Sequence, residues 1–148
     1  MAVLVTRRVL LDTNVFIDYL RFGRHGSWVW GGGEARIRFL SAIVLMELRV
    51  GANAPRRRRA VDRIRNAFPA ERVVAPTAEL FDRAGELFRV IHGKGPERRD
   101  RLAPMNDVLI ALTAWRIGAT VVTSNTGEFL RIAQRLPGLR MLAPTEEP

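Results

Sequence analysis

Five short runs rich in leucine and β-branched residues recur along the chain: Val9 to Leu11, Ile37 to Leu40, Arg72 to Ala75, Thr120 to Thr123 and Leu139 to Leu142. They alternate with stretches whose apolar residues return every three or four positions. Ala60, Val61, Ile64, Ala67 and Phe68 form one such stripe, and Leu80, Phe81, Ala84, Leu87, Phe88 and Ile91 another, each predicting a helix with one buried face. Pro76-Thr77 before the second stripe and Gly93 after it are start and stop signals. A further helix is predicted from Asp107, carrying Val108, Leu109, Leu112 and Trp115 and ending near Gly118. Strands alternating with helices predict an α/β fold: three layers, α/β/α, around a central five-stranded, mainly parallel sheet. Two segments lack periodicity and read as loops, Arg21 to Glu34 and His92 to Met105, and Pro144 to Pro148 reads as a polar, flexible tail.

Length and composition narrow the chemistry. The 148 residues, 47% of them hydrophobic, suit a single domain, residues 1–148, with one core. The absence of cysteine excludes disulfides and thiolate metal sites. His25 and His92 do not form a metal-spaced pair, so any bound metal is expected to be a hard cation held by oxygen. No apolar stretch approaches the roughly 20 residues that span a bilayer, and the first eleven residues do not make a secretory signal; a soluble, unprocessed, cytoplasmic protein without a membrane partner is expected. The 24 basic against 15 acidic side chains give a net charge of +9, which favours a polyanionic partner: nucleic acid first, an acidic protein second.

Against that basic background four acids stand beside apolar runs. Asp12 ends the first strand, and in doubly wound sheets ligands bind outside the carboxyl ends of strands. Thr13 and Asn14 after it are suited to capping the next helix. Glu47 lies within Ile43 to Leu48, where an unpaired buried carboxylate would cost several kcal/mol, so an inward-facing Glu47 needs a cation or a donor. Asp107 opens an apolar helix, and Glu128 follows the strand end Thr123-Ser-Asn125. Each acid alone also reads as a helix cap or a solvated side chain, whereas Asp18 reads simply as an exposed helix position. Carboxylates that meet in space repel one another unless a cation holds them.

The strings that carry these acids are Leu10-Leu-Asp12-Thr-Asn-Val-Phe-Ile-Asp-Tyr-Leu20, Ser41-Ala-Ile-Val-Leu-Met-Glu47-Leu-Arg-Val-Gly51, Asn106-Asp107-Val-Leu-Ile-Ala-Leu-Thr-Ala114 and Gly118-Ala-Thr-Val-Val-Thr123-Ser-Asn125-Thr-Gly-Glu128-Phe129. In order and spacing they resemble the successive motifs of the PIN-domain ribonucleases, most of all the VapC-type toxins of toxin-antitoxin pairs. The resemblance implies a PIN-like fold in which Asp12, Glu47, Asp107 and Glu128 are the catalytic, metal-holding residues. Glu128 stands where the family more often has Asp, one methylene shorter, and coordination through water is implied for it. Thr13, Asn14 and Asn125 match polar positions that support the metal shell. The implied activity is RNA hydrolysis assisted by one or two Mg²⁺ or Mn²⁺ ions, leaving a 5′ phosphate and a 3′ hydroxyl. A homodimer and a cognate antitoxin partner are implied as well. The segment between Asp12 and Glu47 departs from the family, which normally holds more helix there.

Two basic runs are candidate RNA contacts. Arg56 to Arg59 with Arg63 and Arg65 surround a core stripe and so face solvent, while Lys94, Arg98, Arg99 and Arg101 precede Asp107 and are better placed to flank the crevice. Either run also reads as a plain solvated face. Trp28 and Trp30 beside three glycines could stack on bases, receive an antitoxin segment, or cover a core edge or a dimer surface. An aspartyl-nucleophile phosphatase is disfavoured, because Asn14 stands where its second acid belongs. The alternative of another class is a degenerate PIN-like module that binds RNA or a partner without cutting.

Overall fold

Strand β1 (Arg8–Leu11) sits at the middle of the sheet, buried except at its first residue. A computed structural model describes residues 7–32, 36–93 and 101–145. β2 (Ile37–Ser41) and β3 (Val73–Val74) extend the sheet on one side of β1, β4 (Thr120–Val122) and β5 (Arg140–Leu142) on the other, in the order β3-β2-β1-β4-β5. Every neighbouring pair is parallel. All five runs of the hydrophobic pattern therefore become strands, and the order reverses direction at β1, which opens a crevice at the carboxyl ends of β1 and β4.

Among the described residues seven helices cover the two faces: α1 (Thr13–Phe22), α2 (Gly26–Trp30), α3 (Ala42–Gly51), α4 (Pro55–Asn66), α5 (Ala78–His92), α6 (Leu102–Ile117) and α7 (Thr126–Ala133). Among the described residues none is long and apolar enough to cross a membrane. The two stripes pack inward through Val61, Ile64 and Phe68, and through Leu80, Ala84 and Phe88. Phe81 alone of the second stripe turns outward, 50% exposed. α6 is apolar on nearly every side, with Val108, Ile110, Ala111, Leu112 and Ala114 fully buried, as a helix enclosed by its neighbours must be.

Both predicted loops are shorter than expected. The first contains α2, which buries Trp28 and Val29 and restores a helix where the sequence departed from the family. Trp28 belongs to the core: its Nε1 donates to the Thr145 carbonyl at 3.4 Å, and the Arg36 guanidinium lies over its ring at 3.6 Å. It therefore offers no open stacking face, while Trp30 is packed edge-on against Tyr19. The second loop is shortened at both ends, because α5 runs on to His92 and α6 starts at Leu102. Pro104 is accommodated in the first turn of α6, where its missing N–H would have had no intrahelical partner. Asp107 consequently lies more than a turn inside α6 and is not its cap. Asp18, read as exposed, is half-buried and faces His25, Nε2 to Oδ2 3.5 Å.

α3 begins at a buried cap. Ser41 Oγ accepts from the Ile43 and Val44 amides at 3.1 and 3.5 Å, and this sets the register that points Glu47 toward the crevice. Ser41→Ala is expected to lower stability by about 1 kcal/mol, a fall in Tm of about 3 °C by thermal unfolding.

Candidate active site at the carboxyl end of the sheet

Asp12 continues the β1 ladder, its amide donating to the Val122 carbonyl at 2.9 Å, and its side chain is 4% exposed. Thr13 and Asn14 were the expected caps, but Asp12 itself caps α1: its Oδ1 accepts from the Thr13 amide at 2.8 Å. Its Oδ2 accepts from Thr123 Oγ1 at 2.8 Å and from Asn14 Nδ2 at 3.1 Å. Released from capping, the Thr13 hydroxyl donates to Glu47 Oε1 at 2.7 Å and ties the start of α1 to α3.

Thr123, which the sequence reading did not single out, is the hub of this arrangement. It is fully buried, donates to Asp12, and accepts from the Asn125 amide at 2.9 Å and from Asn14 Nδ2 at 3.3 Å. The Ser124 amide in turn donates to Asn14 Oδ1 at 3.1 Å. Its only trace in the sequence is a small hydroxyl residue closing the Val-Val run. Its partnership with Asp12 exists because β1 and β4, 111 positions apart at these residues, are neighbours. Asn125 contributes its backbone amide to Thr123, and its side chain does not cap α7.

Burial, and then the negative charges of Asp12, Glu47 and Glu128, push the Asp107 carboxyl up to about 7. Asp12 is raised too, by burial first, with the Thr123 and Thr13 hydrogen bonds working in the opposite direction and Glu47 adding to the rise. Four acids, one at the junction of β1 and α1 and the others on α3, α6 and α7, thus share one electrostatic neighbourhood. Among the described residues no three of these side chains close on a common point; they face one another at the range of mutual repulsion. The donors nevertheless fit a hard divalent cation: they are carboxylate oxygens in a partly dehydrated crevice, with Asp12 and Asp107 raised by burial and by neighbouring charge.

Glu128, in the first turn of α7, has a second neighbour that the sequence did not suggest. His92 at the end of α5 stacks on Phe88 with ring centroids 4.6 Å apart and holds Nε2 at 3.8 Å from Glu128 Oε1. Of the flanking cations, Arg101 is exposed immediately before α6, while Lys94, Arg98 and Arg99 lie outside the described residues.

A crevice of carboxylates at the carboxyl ends of parallel strands, set where the strand order reverses, defines a ligand site of the doubly wound α/β class. The PIN-domain family model matches residues 9–135, and the chain belongs to the PIN-domain family. Among solved structures it is similar to DNA-bound VapBC from Salmonella typhimurium, with 27% identity over 93% of this chain and 98% of that chain and a TM-score of 0.67. FitAcB from Neisseria gonorrhoeae gives 26% identity over 92% and 97% with a TM-score of 0.63. FitAB bound to the IR36 DNA fragment gives 24% over 95% and 98% with a TM-score of 0.66. No curated protein gives a significant match. The likeness to VapC-type members read from the motifs thus extends over nearly the whole fold.

Proposed function

We propose that the chain is a Mg²⁺- or Mn²⁺-dependent RNA endonuclease, the toxin of a type II toxin-antitoxin pair. The observation that supports this most directly is the gathering of Asp12, Glu47, Asp107 and Glu128 from four separate elements around the rigid end of β1, in a protein of net charge +9. Asp12, Glu47 and Asp107 hold the cation, with Glu128 at its edge. When bound, a divalent ion polarises the phosphate and lowers the pKa of water to give a nucleophile at neutral pH. The chain's own contribution is orientation. Thr123 and Asn14 fix one oxygen of Asp12, the Thr13 amide fixes the other, and the Thr13 hydroxyl fixes Glu47, so both carboxylates are preorganised before any ligand arrives. Membership of the PIN-domain family and the likeness to VapBC and FitAcB support the toxin role and a cognate antitoxin partner; the homodimer is what the motif resemblance implies.

The test is cleavage of total RNA by the purified chain with Mg²⁺, with Mn²⁺ and with EDTA. Cutting is expected with either ion and none in EDTA; cutting that persists in EDTA would overturn the metal-dependent reading, and no cutting under any condition would favour a binding module. Melting provides an independent readout. At 100 times its Kd, Mn²⁺ adds about 2.7 kcal/mol to the folded state, so a flat melting curve at saturating metal counts against the clustered-carboxylate site.

A further inference from the structure

Glu47 faces the other acids and also lines a cavity of ≈ 880 Å³ between α1, α3 and α4. The wall of that cavity is unusual in its charge. Arg21, Arg56, Arg57 and Arg63 line it, and Glu47 is the sole carboxylate among its lining residues. Of the arginines on these helices, Arg49 is neutralised, pairing with Asp62 at 2.7 Å. Arg57 meets only a neutral amide, donating to Asn53 Oδ1 at 3.1 Å, and Arg56 and Arg63 pair with no acid among the described residues. Arg56 and Arg63 are seven positions apart, so they project from one face of α4 about 10 Å apart along its axis. Between the cations the wall is apolar, and Phe22, 63% exposed, presents a ring at its rim, with the Arg24 guanidinium over one face at 5.1 Å from the centroid.

Four guanidinium groups on one concavity repel one another and favour an anionic occupant. A chain of phosphates with unpaired bases matches the rest of the wall, since arginines bind phosphate and aromatic faces accept any base. The position of Glu47 supplies direction, because an anion chain lying in the cavity arrives at the acid cluster. We propose that this groove is the track by which single-stranded RNA reaches the site, its phosphates held by Arg56, Arg57 and Arg63 and a base resting against Phe22. The inference rests on the nuclease reading above and assigns a task to α4 that the acid motifs leave open.

The experiment measures binding of a fluorescently labelled single-stranded RNA to the full chain in EDTA, so that cleavage is off, across a range of salt. The Arg56→Gln/Arg63→Gln variant is compared with Arg135→Gln/Arg140→Gln, exposed arginines beyond α7 and on β5, at the opposite edge of the sheet. Both variants lose the same two charges. The groove variant is expected to bind about 10-fold more weakly, with its log–log salt slope shallower by about 1.4, while the control stays near wild type. Equal effects in the two variants would overturn the track in favour of general attraction to a basic protein. Unchanged RNA affinity, with loss of binding to a synthetic glutamate-leucine helical peptide, would overturn it in favour of a protein-docking groove. A wild-type chain that binds RNA through the groove but cuts none supports the track and removes the nuclease reading; one that cuts RNA while both variants bind it equally removes the track alone.

Discussion

Asp107→Asn is expected to lower RNA cleavage by at least about 1000-fold, the loss of roughly 4 kcal/mol of transition-state stabilisation, and at the same time to make the metal-free protein more stable at pH 8. The two effects have one cause. Burial and the charges of Asp12, Glu47 and Glu128 hold the Asp107 carboxyl near 7, so in the folded chain the ionised form is disfavoured. A folded pKa raised above the unfolded value near 4 means that the native state binds the extra proton between about pH 4 and pH 7. Stability is therefore full below pH 4 and declines as pH rises through 7, and Asp12, also raised, acts in the same direction. Allowing for solvent screening of a partly exposed group, the penalty above pH 7 is on the order of 2 kcal/mol, or about 5 °C in Tm. Asn cannot ionise, so the variant should show a flatter stability profile across that window and a smaller Mn²⁺-induced rise in Tm at pH 8. A variant that retains the wild-type pH profile would show that Asp107 does not sit in the shared field of the four acids.

Thr123→Val is expected to reduce cleavage 10- to 100-fold and to lower stability by about 1–3 kcal/mol, although Thr123 is not among the proposed metal-holding residues. Valine keeps the shape but removes the hydroxyl that donates to Asp12 Oδ2 and accepts from the Asn125 amide. Asp12 then loses a bond to its charged form inside a buried setting, and its carboxyl should rise further. The distinguishing measurement is a Mn²⁺ titration followed by Tm: the variant should need more metal for the same rise, and Thr123→Ser should recover most of it. Wild-type metal affinity in Thr123→Val would reduce Thr123 to a packing residue.

Much of this molecule was legible along the chain. The five runs from Val9 to Leu142 became the five strands, and the stripes through Val61 and Phe88 became buried helix faces, because periodicity encodes which side of an element meets the core. The errors share a cause: they lie where local signals were overridden by surroundings. Pro104 lies in a stretch that reads as loop before a helix from Asp107 and stands inside the first turn of α6, and Trp28, with covering a core edge among its readings, lies in the other such stretch and sits buried on α2. Asp12 was expected to have its neighbours as caps and instead capped α1 itself, which left Thr13 available to reach Glu47.

The sequence by itself determined the strand and helix alternation, the basic balance and the four acids, since these depend on side-chain type and short-range spacing. The tertiary structure alone decided that Thr123 would hold Asp12, that His92 would stand beside Glu128, and that Glu47 would face both the acids and an arginine-lined groove. Those relations join residues that are remote in the chain, and they come into being only when parallel strands pair in the order β3-β2-β1-β4-β5; no local pattern records which strand will lie beside which.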